Sequence, residues 1–270
     1  MKRGLVPFAS FTLLTLAVLA SGADERPQLT GAEIVNKHIE AVGGKAALAK
    51  IKSRVAIGIA KKDSDSAVPV AIMSEAPSRI SAIYQFEGFN WQLSYDGAKA
   101  IFRPMISHAA GVVMHKYEEM LASGTMFNSI SLYNALAAGE SADVKFEAKG
   151  TKKVRNRPAY VVEAKQGKGQ PVRLYFDSET FMWVRTEYGS VRITKDMGTF
   201  TNTIEKKDQE STIDFYVETS DFREVDGLKL PFKLEMVATA PILKQRNVGT
   251  IVTTITEYRH NIPIDPKMFQ

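Results

Sequence analysis

Asp221-Phe-Arg-Glu-Val-Asp-Gly-Leu-Lys-Leu-Pro-Phe-Lys-Leu-Glu-Met-Val237 carries two strand-like runs around Asp226-Gly227, a dipeptide suited to a tight hairpin turn. In the second run, Leu230, Phe232, Leu234 and Met236 fall on one face, while Lys229, Pro231, Lys233 and Glu235 fall on the other. A proline cannot donate to a ladder, so Pro231 predicts an edge strand or a bulge at that point. Lysines on either side of it are a common defence of an open edge. The stretch therefore predicts an antiparallel sheet that does not close.

The same alternation runs outward in both directions. Ile80, Ala82, Tyr84 and Phe86 share one face of a strand; Phe89, Trp91, Leu93 and Tyr95 share one face of the next. Asp96-Gly97 turns that strand back on itself. Further runs are expected at 55–60, 68–74, 98–103, 144–149, 159–164, 172–177, 181–188, 191–196, 212–217, 221–225, 228–237 and 250–260. Asn156-Arg157-Pro158, Gly167-Lys168-Gly169 and Asp177-Ser178-Glu179-Thr180 supply turns between them. Asp177 and Glu179 are close carboxylates, but one intervening residue in a tight turn sets no acid–base separation, so they read as turn residues.

Helical signals cluster at the start. Thr30-Gly31-Ala32-Glu33 has the form of a capping box, and Ile34, Val35, His38, Ile39 and Val42 recur near helical spacing. Gly43-Gly44 stops that helix, and a short one is expected over 45–51. Two more helical patterns fall at 115–122 and 129–138. Strands dominate and no βαβ unit appears, so the expected class is α+β.

The chain has 270 residues, 44% of them hydrophobic, enough for one substantial core. It has no cysteine, which excludes disulfides, thiolate nucleophiles and a lipid-anchored N-terminal cysteine. Residues 1–23 read as a signal peptide: Lys2 and Arg3, an apolar run at 8–20, then Ser21-Gly22-Ala23. Its removal takes the formal charge from +5 to +3, because those residues hold two bases and no acid. The expected mature domain, 24–270, is exported, and in a diderm bacterium it is periplasmic. No Lys/Arg-rich block supports nucleic-acid binding.

His38, His108, His115 and His260 are scattered and form no metal spacing; core or surface roles are expected. A P-loop, a GxGxxG run and a GxSxG elbow are all missing from the sequence, so it points to no enzyme, cofactor or metal. The residues with the most to say are the large apolar ones of the sheet face: Tyr84, Phe86, Phe89, Trp91, Leu93, Tyr95, Phe176, Trp183, Phe215, Phe232 and Met236. They serve either as a packed core or as the lining of an apolar cavity; periodicity alone does not separate the two.

Four segments in order resemble the LolA/LolB-like superfamily of periplasmic lipoprotein carriers, which includes the outer-membrane lipoprotein-sorting proteins. They are GAEIVNKHIEAVGGKAALAKIKS (31–53), RLYFDSETFMWVR (173–185), FREVDGLKLPFKLE (222–235) and ITEYRHNIPIDPKMF (255–269). The resemblance implies an unclosed antiparallel β half-barrel with helices covering its concave face and a hydrophobic cavity between them. It implies an acylated lipoprotein or lipid as cargo, carried toward the outer membrane between inner- and outer-membrane donor and acceptor proteins. The alternative within the same superfamily is a non-catalytic envelope sensor or protein-interaction module. The added stretch around 105–150 departs from the smallest carriers. The sequence sets no oligomeric state.

Overall fold

A computed structural model of the chain describes residues 29–62, 65–76, 79–96, 100–103, 144–166, 171–193, 211–240 and 245–270. The expected signal peptide, the helical patterns at 115–122 and 129–138, His108 and His115 lie outside them. Among the described residues no helix is long and apolar enough to cross a membrane.

Two helices come first among the described residues, α1 (Gly31–Ala41) and α2 (Lys45–Ala49). The capping box forms: the Glu33 amide donates to Thr30 Oγ1 at 3.2 Å, and the Thr30 amide donates to the Glu33 carboxylate at 2.7 Å. Those bonds satisfy helix-end donors that would otherwise lack partners. The Thr30 backbone bond, then its hydroxyl, holds the Glu33 carboxyl below its ordinary value.

Twelve strands follow among the described residues: β1 (Ser53–Lys62), β2 (Val68–Glu75), β3 (Arg79–Phe86), β4 (Phe89–Tyr95), β5 (Ala100–Arg103), β6 (Val144–Val154), β7 (Arg157–Gln166), β8 (Val172–Asp177), β9 (Trp183–Ile193), β10 (Ser211–Val225), β11 (Leu228–Ala240) and β12 (Gln245–His260). They form one sheet in the order β5-β4-β3-β2-β1-β12-β11-β10-β9-β8-β7-β6. Every described pairing is antiparallel. The pairing of β1 with β12 is the exception to nearest-neighbour order. It brings the first and last strands together in the middle and leaves β5 and β6, consecutive in the chain, as opposite edges. No described ladder joins those edges, so the sheet is unclosed.

Two pairs of expected strands are each one element. The runs at 181–188 and 191–196 merge into β9, and those at 212–217 and 221–225 merge into β10. Asp221 takes a left-handed φ of 54° within β10, where the sequence reading broke the strand. An aspartate tolerates that conformation, so the strand kinks without ending.

The position of Pro231 also corrects the sequence reading. β11 is an interior strand, paired with β10 on one side and β12 on the other. Pro231 sits in register with Phe222 of β10, without a bulge. Toward β12, however, the ladder starts only at Lys233 opposite Thr254. Between Leu228 and Phe232 the two strands have parted, β11 following β10 and β12 following β1. Pro231 thus meets its missing amide hydrogen at a fork inside the sheet rather than at an outer edge.

The fork is bridged by side chains and by the end of the first helix. The Tyr258 hydroxyl donates to the Pro231 carbonyl, and the Phe232 and Tyr258 rings meet edge-on at 5.2 Å. The Lys229 amide donates to the carbonyl of Val42, just past α1, at 2.9 Å. His260 Nδ1 lies 2.7 Å from the carboxylate of Asp226 in the β10–β11 turn, and Arg54 Nε lies 3.2 Å from its Nε2. Burial, partly offset by Asp226, leaves His260 less basic than an ordinary histidine.

The two faces differ in chemistry. One carries ionic pairs: Arg185 and Arg155 both bond Glu218, and Arg155 reaches Glu235 at 3.1 Å. The other is apolar and holds two clusters of buried residues. A closing 3-10 turn, Pro266–Phe269, packs on β3 and β4; its Met268 carbonyl accepts a bond from Gln92 at 2.9 Å. Gln92 also bonds Ser94, which faces Ser81, so this turn lies against the side away from Leu93 and Tyr84.

Candidate functional site

The first apolar cluster is built around the helices. Ile34, Val35, Ile39, Val42 and Leu48 pack against Val162, Leu174, Phe176, Trp183, Leu228 and Leu230. His38 is buried among them. Its Nδ1 is 2.9 Å from the Phe181 carbonyl, and its ring lies 5.0 Å from Phe176 and 6.2 Å from Trp183. A carbonyl can only accept, so Nδ1 carries the proton in the neutral ring. Burial pulls the His38 pKa down to about 4, with the Phe181 bond acting weakly in the opposite direction. The helix stripe read from the sequence is the part of the fold that seals this cluster.

The second cluster continues the same face across β1–β4 and β9–β12. Its buried members include Ala56, Ala60, Val70, Ile72, Ile80, Ala82, Tyr84, Leu93, Tyr188, Val217, Phe232, Leu234 and Ile255. Trp91, Tyr95, Met236, Ile251 and Tyr258 are half-buried against it. No residue of α1 or α2 belongs to it among the described residues. The two clusters meet at Val172, Val225 and Tyr258, which border both. The apolar face is therefore one continuous surface, of which the described helices occupy one part.

The sequence-derived candidates divide along this line. Tyr84, Trp91, Leu93, Tyr95, Phe232 and Met236 come together on the second cluster. Register explains it: Ile80 stands opposite Tyr95, Ala82 opposite Leu93 and Tyr84 opposite Trp91. The Tyr84 and Trp91 rings are 5.3 Å apart and tilted by 40°. Phe176 and Trp183 belong to the helix-packed cluster, and Phe215 is buried in β10. Phe86, at the end of β3, is 40% exposed and lies off the cluster. The side chain of Phe89 lies outside the described residues, although its backbone pairs with Phe86.

The two tryptophans differ in their polar ends. Trp183 Nε1 donates to the Arg185 carbonyl at 3.0 Å. Trp91 Nε1 is shut off from solvent and has no hydrogen-bond partner among the described residues. Sequence reasoning singled out both rings for their size but had no signal for this difference, because the acceptor at Trp183 is a carbonyl placed by the backbone path.

Asp177 and Glu179 occupy the β8–β9 turn. Asp177 Oδ1 accepts from the Thr180 amide and hydroxyl, both at 2.9 Å, and from the Glu179 amide at 3.2 Å. Arg157 lies 2.9 Å from the other oxygen. Burial acts to raise the Asp177 carboxyl, and the Thr180, Glu179 and Arg157 interactions more than offset it, leaving it below its ordinary value. Oδ1 serves the turn, as expected from the sequence. Among the described residues no group of three His, Asp or Glu side chains is placed to hold a metal ion.

No protein-family model matches the chain. A comparison with curated proteins returns no significant match. Among solved structures, the fold is similar to that of a LolA superfamily protein from Nitrosomonas europaea, with a TM-score of 0.49 and 11% identity over 90% of this chain and 98% of that one. It is similar also to an outer membrane lipoprotein-sorting protein domain, so described provisionally, from Vibrio parahaemolyticus, with a TM-score of 0.46 and 10% identity over 88% and 95%. A DUF1329 family protein from Desulfovibrio piger matches with a TM-score of 0.42 and 9% identity over 88% and 95%.

Proposed function

We propose that this protein is a periplasmic carrier that takes the acyl chains of a lipoprotein or lipid onto the second apolar cluster and moves them toward the outer membrane. One observation carries the reading. A continuous apolar face spans eight strands of an unclosed sheet, and among the described residues α1 and α2 pack only on the neighbouring part of it. Each methylene withdrawn from water contributes about 0.8 kcal/mol. A surface of this kind holds an acyl chain with no cofactor.

In this reading the lining is Tyr84, Trp91, Leu93, Tyr95, Phe232 and Met236. Helices α1 and α2 form one wall of the hollow on the concave side of a half-barrel. Phe176 and Trp183 act as structural core beneath the helices. Residues 1–23 direct export and are removed, and 24–270 form the carrier domain. Donor and acceptor proteins at the two membranes are its partners.

Two measurements test this. Native mass spectrometry of the mature protein purified from membranes should show added masses of lipid or acylated protein. Titration with a fluorescent fatty acid should show saturable binding. Protein that emerges without lipid and also fails to bind the probe would sink the proposal.

A further inference from the structure

Trp91 is placed where a hydrocarbon-only surface would have no use for it. Its ring belongs to the lining just proposed, packed 5.3 Å from Tyr84. Its N–H is buried on that surface with no acceptor among the described residues. A buried donor without a partner costs about 1–3 kcal/mol, and phenylalanine would fill the same surface without that cost. The fold can satisfy an indole when its own carbonyls are near, as Arg185 does for Trp183 at 3.0 Å. On the β3 side the backbone of Trp91 pairs with Tyr84, and no carbonyl of the described residues reaches its indole, so an acceptor lying on the apolar face would satisfy it.

We propose that the Trp91 indole N–H donates a hydrogen bond to an ester or amide carbonyl of the bound lipid. The inference rests on the carrier reading. An acylated cargo joins its chain to glycerol, sugar or protein through such a carbonyl, a strong acceptor beside the hydrocarbon. Trp91 then fixes how deep the chain sits, because the carbonyl marks where it begins. It makes the site selective for acyl over alkyl lipids.

The test compares two soluble amphiphiles with the same chain length, both below their micellar concentrations. Sucrose monolaurate carries an ester carbonyl; dodecyl maltoside has none. The chain contains two tryptophans, so an amide-correlation NMR spectrum of the mature protein shows two indole resonances, and Trp91→Phe identifies the one it removes. Sucrose monolaurate should move the Trp91 indole proton downfield and leave that of Trp183 in place. Wild type should bind the ester about fivefold more tightly than the alkyl compound, the ordinary worth of one hydrogen bond, and Trp91→Phe should lose that preference. Ester binding without the downfield shift, or a preference that survives Trp91→Phe, would overturn the inference while leaving the carrier reading intact. Failure of both compounds to bind would overturn the two together.

Discussion

Tyr258 of β12 donates its hydroxyl to the carbonyl of Pro231 in β11 at the point where the two strands part. The contact replaces ladder bonds that stop at Lys233 and Thr254. Removing the hydroxyl leaves a carbonyl beside the buried fork without that donor. Tyr258→Phe should therefore lose about 1 kcal/mol of stability, read as a lower urea midpoint at unchanged slope. An unchanged midpoint would mean that water serves Pro231 equally well.

At the same fork, Gly43 adopts a φ of +132°, and a Cβ there would stand 2.3 Å from the Gly227 carbonyl oxygen. Neighbouring Gly44 has a φ of +86°, with nothing within 4 Å of the equivalent point. Gly44→Ala should cost the backbone strain alone, about 1–3 kcal/mol. Gly43→Ala adds a collision between helix end and hairpin turn and should cost more. Thermal unfolding of the two variants side by side checks the order.

His38 makes the fold sensitive to acid. Its pKa falls from 6.5 to about 4 on folding, so the folded state favours the neutral ring. This contribution is fully present above 6.5 and is lost as pH falls toward 4, where the unfolded chain takes up a proton that the folded chain refuses. The linkage amounts to about 3 kcal/mol across that interval. His38→Gln should flatten the dependence, measured by urea unfolding at pH 7 and pH 4.5. His260 is shifted in the same direction and should leave a residual slope in the variant.

Phe176 and Trp91 were read from the sequence as equivalent, and the structure separates them. Phe176 is fully buried under α1, and Phe176→Ala should cost about 3–5 kcal/mol. Trp91 is half-buried, so Trp91→Ala should cost less stability and weaken fatty-acid probe binding more than any stability-matched core substitution. Equal effects of the two on binding, at temperatures where both are folded, would argue against the proposed lining.

Asp177 should behave as a turn residue. Asp177→Ala removes the acceptor of three hydrogen bonds in the β8–β9 turn and should cost about 2 kcal/mol. Lipid probe binding, measured where the variant is folded, should be unaffected.

Local chemistry settled much of this molecule in advance. The Thr30–Glu33 box, the Asp226-Gly227 hairpin, the Asp177 turn and the alternation through Tyr84 and Trp91 are all set by residues within a few positions of one another. Such patterns determine which side of a strand is apolar and which strands follow a tight turn. They leave no mark of a partner two hundred residues away. The pairing of β1 with β12 is such a partnership, and it placed Pro231 at an interior fork instead of an outer edge. The same limit applies to the apolar face. Alternation grouped Phe176 with Trp91, but only the docking of α1 decided that Phe176 is sealed beneath a helix while Trp91 packs on a cluster to which neither described helix contributes. Burial depends on what packs above a strand, and that is a property of the assembled chain.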